Sequence, residues 1–281
     1  MKSHPRTLLI GCGYIGLPLA LRLQQAGHEI TPWVHSQATA ESLAPHHFKR
    51  IIIGSVGYSP MWNQVDEDFD LVIHCASSSR GGAEAYQEVF LKGGTFMNQH
   101  HPEARRLFIS STSVYSQING EIVTEETPLK PATVNSQILA KAESSTTSTG
   151  GLVIRSAGIY GPKRGVLFEK FRKGEAILEG DGLRWLNQIH QHDLIAAIEH
   201  LIDYGQPGQI YNATDDTPVT LLDYYKWCSE FLGQPMPPSG SVDPNRKRPI
   251  TSKRVSNAKL RATGWAPQFP SFREGLTHDH A

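Results

Sequence analysis

Hydrophobic positions follow two alternating patterns through the first 160 residues of the chain. Short runs of consecutive apolar residues are separated by longer stretches in which apolar residues recur every three or four positions. The first pattern is typical of strands buried on both faces of a sheet, and the second of amphipathic helices. The predicted strands are residues 7–10, 28–34, 50–53, 71–76, 106–110 and 152–155. The predicted helices are residues 17–26, 84–98 and 133–144.

This alternation predicts an α/β fold, a doubly wound parallel sheet of the Rossmann type. Pro32 fits poorly in the second strand, because proline lacks the N–H that a central strand needs. After residue 160 the alternation gives way to mixed segments that contain Gly and Pro. We therefore expect a larger domain over 1–160, to which 193–212 returns, and a smaller C-terminal substrate lobe over 161–281.

Net charge and cysteine content limit the partners that the protein could bind and the compartment in which it would work. The 281 residues carry 27 Lys and Arg against 27 Asp and Glu. A binder of nucleic acid or of an anionic membrane needs a basic excess, so neither partner is supported. Cys12, Cys75 and Cys228 are odd in number and far apart, which favours a reducing cytoplasm over a disulfide framework. The apolar run 7–10 is too short for the core of a secretion signal.

A glycine-rich motif, GCGYIG at 11–16, lies between the first strand and the first helix. Gly11 permits a tight turn, Gly13 lets the backbone approach a pyrophosphate, and Gly16 allows close packing of helix on strand. Tyr14 and Ile15 complete the turn, and the helix N-terminus that follows favours phosphate. The motif predicts a dinucleotide site, against the alternative of a glycine-rich turn without a ligand.

The end of the second strand bears on which dinucleotide is bound. An NAD site usually has Asp or Glu about 20 residues after the glycines, where the carboxylate binds the ribose hydroxyls. Here His35 and Ser36 stand at that point, followed by Gln37, and Glu29 comes too early. These side chains could donate hydrogen bonds to a 2′-phosphate. NADP is therefore favoured as the cofactor, with NAD as the alternative.

Motifs spread through most of the chain resemble the NAD-dependent epimerase/dehydratase family, the extended or atypical short-chain dehydrogenases/reductases. Their order and spacing together are specific, although several are loose individually. The matching segments are GCGYIG (11–16), LVIHCAS (71–77), FISSTSVYS (108–116), TEETPLKP (124–131), VIRSAGIYGPKRG (153–165), LNQIHQHDL (186–194), IYNATDDTPVT (210–220) and RVSNAKLRATGW (254–265).

The resemblance implies roles for individual residues. Ser111 falls where the family has its catalytic Ser or Thr, and Ser113 where a residue often faces substrate. Family dehydratases that act on sugar nucleotides have an Asp-Glu pair in place of Thr112 and Ser113, so 4,6-dehydration is not expected. The further residues implied in cofactor binding are Cys75, Ala76, Ser77, Ser110 and Ala157. Those implied on the substrate side are Tyr160, Arg164 and Asn187.

One departure from the family concerns the YxxxK motif, whose tyrosine transfers a proton and whose lysine lowers the pKa of that tyrosine. The Ala142-Glu143 pair fixes the register and places Asn135 and Leu139 at these two positions. Neither side chain can transfer a proton. Tyr115 is a candidate substitute acid, although the family usually makes this residue structural.

A histidine-containing segment and a short basic run give weaker indications of chemistry. The spacing of His190, His192 and Asp193 suggests a metal site. These residues also match a family motif that would join the two lobes, so we expect no metal. The short basic run at 246–248 is interpreted as a solvated loop rather than a substrate-phosphate contact.

Two functions follow from the sequence. The first is a cytoplasmic NAD(P)-dependent oxidoreductase or epimerase-like enzyme acting on a small polar substrate, which is sugar-like, a carbonyl or an imine. The second is a catalytically silent NADP-binding sensor, which the loss of the Tyr/Lys pair would suit. A homodimer is one of the oligomeric states that the sequence leaves open.

Overall fold

The structure, a computed structural model, describes residues 4–65, 68–79, 81–241 and 250–280, and the basic run at 246–248 lies outside them. The strands are, in chain order, β1 (Arg6–Ile10), β2 (Glu29–Val34), β3 (Ile52–Ile53), β4 (Leu71–His74), β5 (Arg105–Ser111), β6 (Glu121–Val123), β7 (Leu152–Ser156), β8 (Gly158–Tyr160), β9 (Leu178–Glu179), β10 (Trp185–Leu186), β11 (Gln188–His190), β12 (Ile210–Ala213), β13 (Val219–Thr220), β14 (Ser239–Gly240) and β15 (Lys253–Val255). The α-helices are α1 (Gly16–Gln25), α2 (Gln37–Ser42), α3 (Ser59–Trp62), α4 (Ala83–Tyr86), α5 (Gly93–His100), α6 (Val134–Ser148), α7 (Val166–Arg172), α8 (Gln191–Tyr204), α9 (Leu221–Leu232), α10 (Ala258–Arg261) and α11 (Phe272–His280).

A seven-stranded parallel sheet runs in the order β12-β7-β5-β4-β1-β2-β3 and confirms the predicted α/β fold. The strand order reverses between β1 and β4, which lie side by side in parallel. In sheets of this kind, ligands bind in the crevice at the carboxyl ends of the strands where the order reverses. The turn that follows β1 and the segment that follows β4 are therefore the first places to look for a cofactor.

Pro32 is accommodated in β2 because the outer neighbour of that strand is short. β3 pairs with β2 only at Trp33 and Val34. Pro32 therefore precedes the part of β2 that is paired on both sides, where a missing N–H would break the ladder.

Helix α1 forms where the apolar spacing predicts it. Its buried residues follow the i, i+3, i+4, i+7 stripe of a helix packed on a sheet: Gly16, Leu19, Ala20 and Leu23. Gly27 has φ +94° and ends the helix, and the N–H of His28 donates to the carbonyl of Leu23. This is the 6→1 bond of a glycine-terminated helix.

The predicted helix over 84–98 is a longer helical stretch with an internal irregularity. Helices α4 and α5 are joined by a π-helical segment, Gln87–Lys92. A π-helical turn displaces backbone carbonyls from the regular i→i+4 pattern. One of them, the carbonyl of Val89, accepts a hydrogen bond of 2.9 Å from Nε2 of the buried His74.

The chain divides into two compact units, each made of several segments of the sequence. The first comprises Met1–Val114, Pro131–Arg155 and Ile198–Tyr211, and the second comprises Tyr115–Lys130, Ser156–Ala197 and Asn212–Ala281. Residues 115–130 thus group with the later part of the chain. The second unit has its own buried apolar cluster, which includes Tyr160, Phe168, Phe171, Leu221, Tyr224, Tyr225 and Phe272. Within the described ranges, no helix combines the length and the apolar character needed to cross a membrane.

Candidate functional site

The glycine turn after β1 has no room for side chains at two of its three glycines. A Cβ at Gly11 would lie 2.4 Å from Cα of Ala76, and Gly11 has φ +94°. A Cβ at Gly16 would lie 1.8 Å from the carbonyl oxygen of Gly11. Both values are far below van der Waals contact, so the turn requires glycine at these positions.

Neighbouring strands hold this turn in place on both sides. The N–H of Gly11 donates to the carbonyl of Trp33 at the end of β2. The thiol of Cys75, which follows β4, donates to the carbonyl of Gly11 at 3.0 Å. Burial raises the pKa of Cys75 and raises the pKa of Cys12 to about 12, so both remain neutral thiols. The two cysteines are therefore packing groups of the turn and not thiolate nucleophiles.

Gly13 differs from the other two glycines because the space in front of it is open. A Cβ built at Gly13 would meet no atom within 4 Å. Next to it, α1 begins at Gly16 with Ile15 at the N-cap position, without a side-chain cap. The first N–H groups of a helix have no partner within the helix and favour an anion. An open glycine beside uncapped donors fits the pyrophosphate of a dinucleotide.

The segment after β4 and the end of β2 border the turn with polar groups. Ser77, His35 and Ser36 are exposed, whereas Ala76 lies against Gly11. Ser36 Oγ accepts the N–H of Thr39 at 3.3 Å and caps α2, and it also lies 2.9 Å from Oγ1 of Thr39, a hydrogen bond in which either hydroxyl can donate. The first acidic residue of α2, Glu41, accepts a hydrogen bond from Gln37. The end of β2 thus presents donors.

A buried ion pair contacts the end of β5 through Ser110. Nη2 of Arg155 is 2.7 Å from Oε2 of Glu143, and both side chains are buried. Ser110 donates its hydroxyl proton to Glu143 Oε1 at 2.6 Å. The Ser110 hydroxyl, expected to contact cofactor, is therefore already committed to Glu143. The sequence interpretation missed this cluster, although Glu143 lies eight residues, about two helical turns, after Asn135.

The two serines expected to act in catalysis lie on a short turn after β5. Ser111 is half-buried and ends the strand, and Ser113 is exposed in the 3-10 turn Thr112–Val114. The N–H of Ser113 donates to Ser111 Oγ at 3.2 Å. That bond leaves the hydroxyl proton of Ser111 for an acceptor. On helix α6, Leu139, which stands in place of the lysine of the family motif, is buried.

Tyr115 lies in the second unit and is 1% exposed. Its hydroxyl is 2.9 Å from the carbonyl oxygen of Thr124 and 2.9 Å from Oδ1 of Asn212. The hydroxyl proton is thus engaged by acceptors of the protein. This arrangement favours the structural role that the family usually gives this residue over the role of proton donor.

The residues expected on the substrate side also lie in the second unit. Tyr160 is 2% exposed and donates to the carbonyl of Ser271, and burial raises its pKa. Asn187 accepts the N–H of Val255 at 2.7 Å and donates to the carbonyl of Lys253 at 2.9 Å, so its amide fastens β15. Arg164 is exposed, and its backbone pairs with Gly161 across a turn. Ala157, which was expected to contact the cofactor instead, lies in the same unit, is buried and donates its N–H to the carbonyl of Ala213.

Histidine and aspartate near residue 190 anchor chain segments of the second unit. Nδ1 of His190 accepts the N–H of His192, so Nε2 carries the ring proton and donates to Asp279 at 3.2 Å. Asp193 accepts the N–H groups of Gln268 and Phe269. Within the described ranges, no group of three or more His, Cys, Asp and Glu is arranged to hold a metal ion.

Comparison with known proteins agrees with this geometry. A sequence model of the NAD-dependent epimerase/dehydratase family matches residues 8–214. Protein YeeZ of Escherichia coli (strain K12) is 25% identical over 276 residues, which cover 94% of this chain and 96% of that protein.

Two solved structures share the fold. A dTDP-glucose 4,6-dehydratase from Bacillus anthracis in complex with NAD has a TM-score of 0.82 and 19% identity, covering 98% of this chain and 95% of that one. A UDP-glucose 4-epimerase with UDP-glucose from Thermotoga maritima has a TM-score of 0.80 and 19% identity, covering 96% of each chain.

Proposed function

Because the chain belongs to the NAD-dependent epimerase/dehydratase family, we propose that it is an NAD(P)-dependent oxidoreductase or epimerase acting on a small, polar, sugar-like substrate. The observation that carries the proposal is the glycine turn. Gly11 and Gly16 are fixed by steric contact, whereas Gly13 faces open space at the N-terminus of α1. A turn without a ligand has no need of that open position, and a pyrophosphate does.

For the cofactor we propose NADP over NAD. His35 and Ser36 offer donors at the end of β2, and no carboxylate stands there to repel a 2′-phosphate. The test is calorimetric affinity for NADPH and NADH in the wild type and in His35→Asp. We expect the wild type to favour NADPH and the variant to shift toward NADH. Tighter binding of NADH by the wild type would refute the preference.

In the proposed chemistry, the bound cofactor supplies or accepts a hydride, and the chain positions the substrate and stabilises charge. Ser111 is the residue we assign to the substrate oxygen, because its Oγ accepts the N–H of Ser113 and keeps its own proton for donation. Asn135 and Leu139 cannot transfer a proton, and the hydroxyl of Tyr115 is engaged within the protein. The exchanged proton therefore comes from water or from the substrate, and Ser113 is a second substrate-facing candidate.

Turnover measurements test this assignment. NADPH oxidation is followed with carbonyl and imine substrates, and NAD(P) reduction or epimer formation with dTDP-glucose and UDP-glucose. Ser111→Ala should lower kcat by about 10²-fold, since a single hydrogen-bond donor to a developing oxyanion has about that effect. Ser144→Ala, an exposed serine on α6, is the matched control and should have no effect. Unchanged turnover in Ser111→Ala would remove this serine from the chemistry.

The alternative function is a catalytically silent cofactor sensor. The observation that favours it is the replacement of both proton-transfer positions on α6, where Leu139 is buried. Tight NADPH binding without turnover on any substrate of the screen would support the sensor and contradict the enzyme. Assembly as a homodimer and a cytoplasmic location stay predictions, which light scattering and cell fractionation would check.

A further inference from the structure

A pocket of about 370 Å³ lies wholly within the second unit. It forms where β10 pairs with β13 and where helix α9 runs past the start of α11. Its volume is at the lower end of the range found for small-molecule sites. None of the residues that line it is assigned above to the cofactor or to the substrate. The pocket is therefore a second candidate site.

Two indole rings form the apolar part of the lining. Trp185 and Trp227 both border the pocket, and both are half-buried. Trp227 stacks on Phe231 with ring centroids 4.6 Å apart and meets the buried Phe272 edge-on at 5.2 Å. The guanidinium of Arg254 lies over the ring of Trp185 at 5.2 Å. Both indoles are thus fixed by neighbours and offer a rigid surface to an aromatic or aliphatic group.

Four charged side chains also line the pocket, and only two of them neutralise each other. Nζ of Lys226 is 3.7 Å from Oδ1 of Asp223. Glu230 and Arg273 form an ion pair neither with each other nor with any other residue in the described part of the chain. One pocket thus presents a carboxylate and a guanidinium, each without a charged partner.

Arg273 is held in place while its guanidinium has no hydrogen-bond acceptor within the described ranges. The N–H of Arg273 donates to Oγ of Ser271 at 3.2 Å. Its guanidinium carbon lies 4.8 Å from the centre of the Phe272 ring. A guanidinium that stacks on a ring keeps the N–H groups at its edge for other partners. Such an edge binds a carboxylate through two parallel hydrogen bonds.

We propose that this pocket binds a free amino acid with an aromatic or large apolar side chain. The carboxylate of the ligand accepts hydrogen bonds from Arg273, its ammonium donates to Glu230, and its side chain packs against the indoles. A ligand with a single charge leaves one of the two protein groups without a partner, and a neutral sugar leaves both. The inference goes beyond the proposed function and does not depend on it.

A series of ligands tests the proposal by removing one group at a time. Calorimetry on the full chain compares L-phenylalanine with phenylalaninamide, which lacks the carboxylate, with N-acetylphenylalanine, which lacks the ammonium, and with glycine, which lacks the ring. We expect L-phenylalanine to bind most tightly and glucose not to bind. Tighter binding of N-acetylphenylalanine would indicate a site for a peptide C-terminus and would overturn the proposal. Absence of saturable binding of L-phenylalanine and L-tryptophan up to about 10 mM would also overturn it.

Substitutions remove the two protein charges separately. Arg273→Gln should weaken binding of L-phenylalanine at least about tenfold, since it loses charge-assisted hydrogen bonds. Glu230 is exposed, so Glu230→Gln should weaken it by about 3- to 5-fold. The matched controls are Arg172→Gln and Glu175→Gln, two exposed residues of the same unit that do not line the pocket. Both controls should bind L-phenylalanine as the wild type does.

Each substitution should lose its effect when the ligand group that it faces is missing. Arg273→Gln should bind phenylalaninamide as tightly as the wild type does, and Glu230→Gln should do the same with N-acetylphenylalanine. Equal weakening of every ligand by either variant would overturn the proposal, and so would unchanged binding of L-phenylalanine by Arg273→Gln. If Arg273→Gln does not fold, the wild type alone decides, because phenylalaninamide that bound as tightly as L-phenylalanine would refute a contact between Arg273 and the carboxylate.

Discussion

Gly11→Ala should lower the stability of the fold, whereas Gly13→Ala should leave stability unchanged and weaken cofactor binding. Gly11 has φ +94°, a conformation that costs an ordinary residue about 1–3 kcal/mol, and its Cβ would lie 2.4 Å from the backbone of Ala76. We expect Gly11→Ala to lose at least about 2 kcal/mol of unfolding free energy, or about 4–8 °C in Tm. Gly13 has room for a methyl group, so Gly13→Ala should melt within about 1 °C of the wild type.

Gly13→Ala should weaken the binding of NADPH although its fold is as stable as that of the wild type. The methyl group of Gly13→Ala would occupy the space through which the pyrophosphate approaches the backbone. We expect the Kd for NADPH to rise at least tenfold, which corresponds to about 1.4 kcal/mol. Differential scanning fluorimetry gives Tm, and quenching of protein fluorescence by NADPH gives Kd. Titration of Gly11→Ala is made well below its lowered Tm, so that unfolding does not imitate weak binding.

Two results would refute this account of the turn. If Gly13→Ala were destabilised as much as Gly11→Ala, the space in front of Gly13 would not be open. If Gly13→Ala bound NADPH as tightly as the wild type, the turn would not hold a pyrophosphate. The second result would also remove the observation on which the proposed cofactor site depends.

Two further predictions concern buried charge. Burial lowers the pKa of His74 from 6.5 to about 4, so the unfolded chain takes up a proton before the folded one, and stability falls as the pH drops from about 6.5 toward 4. The loss of unfolding free energy should reach about 2 kcal/mol at pH 5. Urea titrations at pH 7 and pH 5 should show a smaller loss in His74→Leu than in the wild type. An equal loss in the two proteins would contradict the assignment of this pH dependence to His74. Glu143→Gln should lower the unfolding free energy by about 3–5 kcal/mol, because it leaves the buried Arg155 without its counterion. The double variant Glu143→Leu/Arg155→Met should be more stable than Glu143→Gln alone, and a less stable double variant would contradict this reasoning.

The glycine turn and its flanking elements were predictable because each depends on neighbours in the sequence. Three apolar residues form most of β1, the glycines fix the turn, and Gly27 ends α1. The same holds for the strands of the central sheet, whose apolar runs are long enough to identify. Local rules of strand, turn and helix therefore predicted the geometry of the turn, and its use as a cofactor site stays a prediction.

Other features depend on pairings between distant residues, which local patterns do not reveal. The role of Tyr115 is decided by Asn212, 97 residues away. The pairing of β6 with β15 joins two three-residue strands, which are too short to show a period of their own. The π-helical segment beside His74 has no signature in the spacing of apolar residues, so the prediction gave an uninterrupted helix there.

The side of helix α6 that carries the catalytic pair in the family makes packing contacts in this protein. Asn135, Leu139 and Glu143 follow one another at intervals of four residues, so they lie along one side of the helix. Leu139 is buried, and Glu143 is fastened to Arg155 and Ser110. That side of α6 therefore stabilises the end of β5, where Ser111 lies, without contributing a group that transfers protons. Acid–base chemistry must then come from groups outside this side of α6, so loss of turnover in Ser111→Ala with retained NADPH binding would place the polar contact to the substrate at the end of β5.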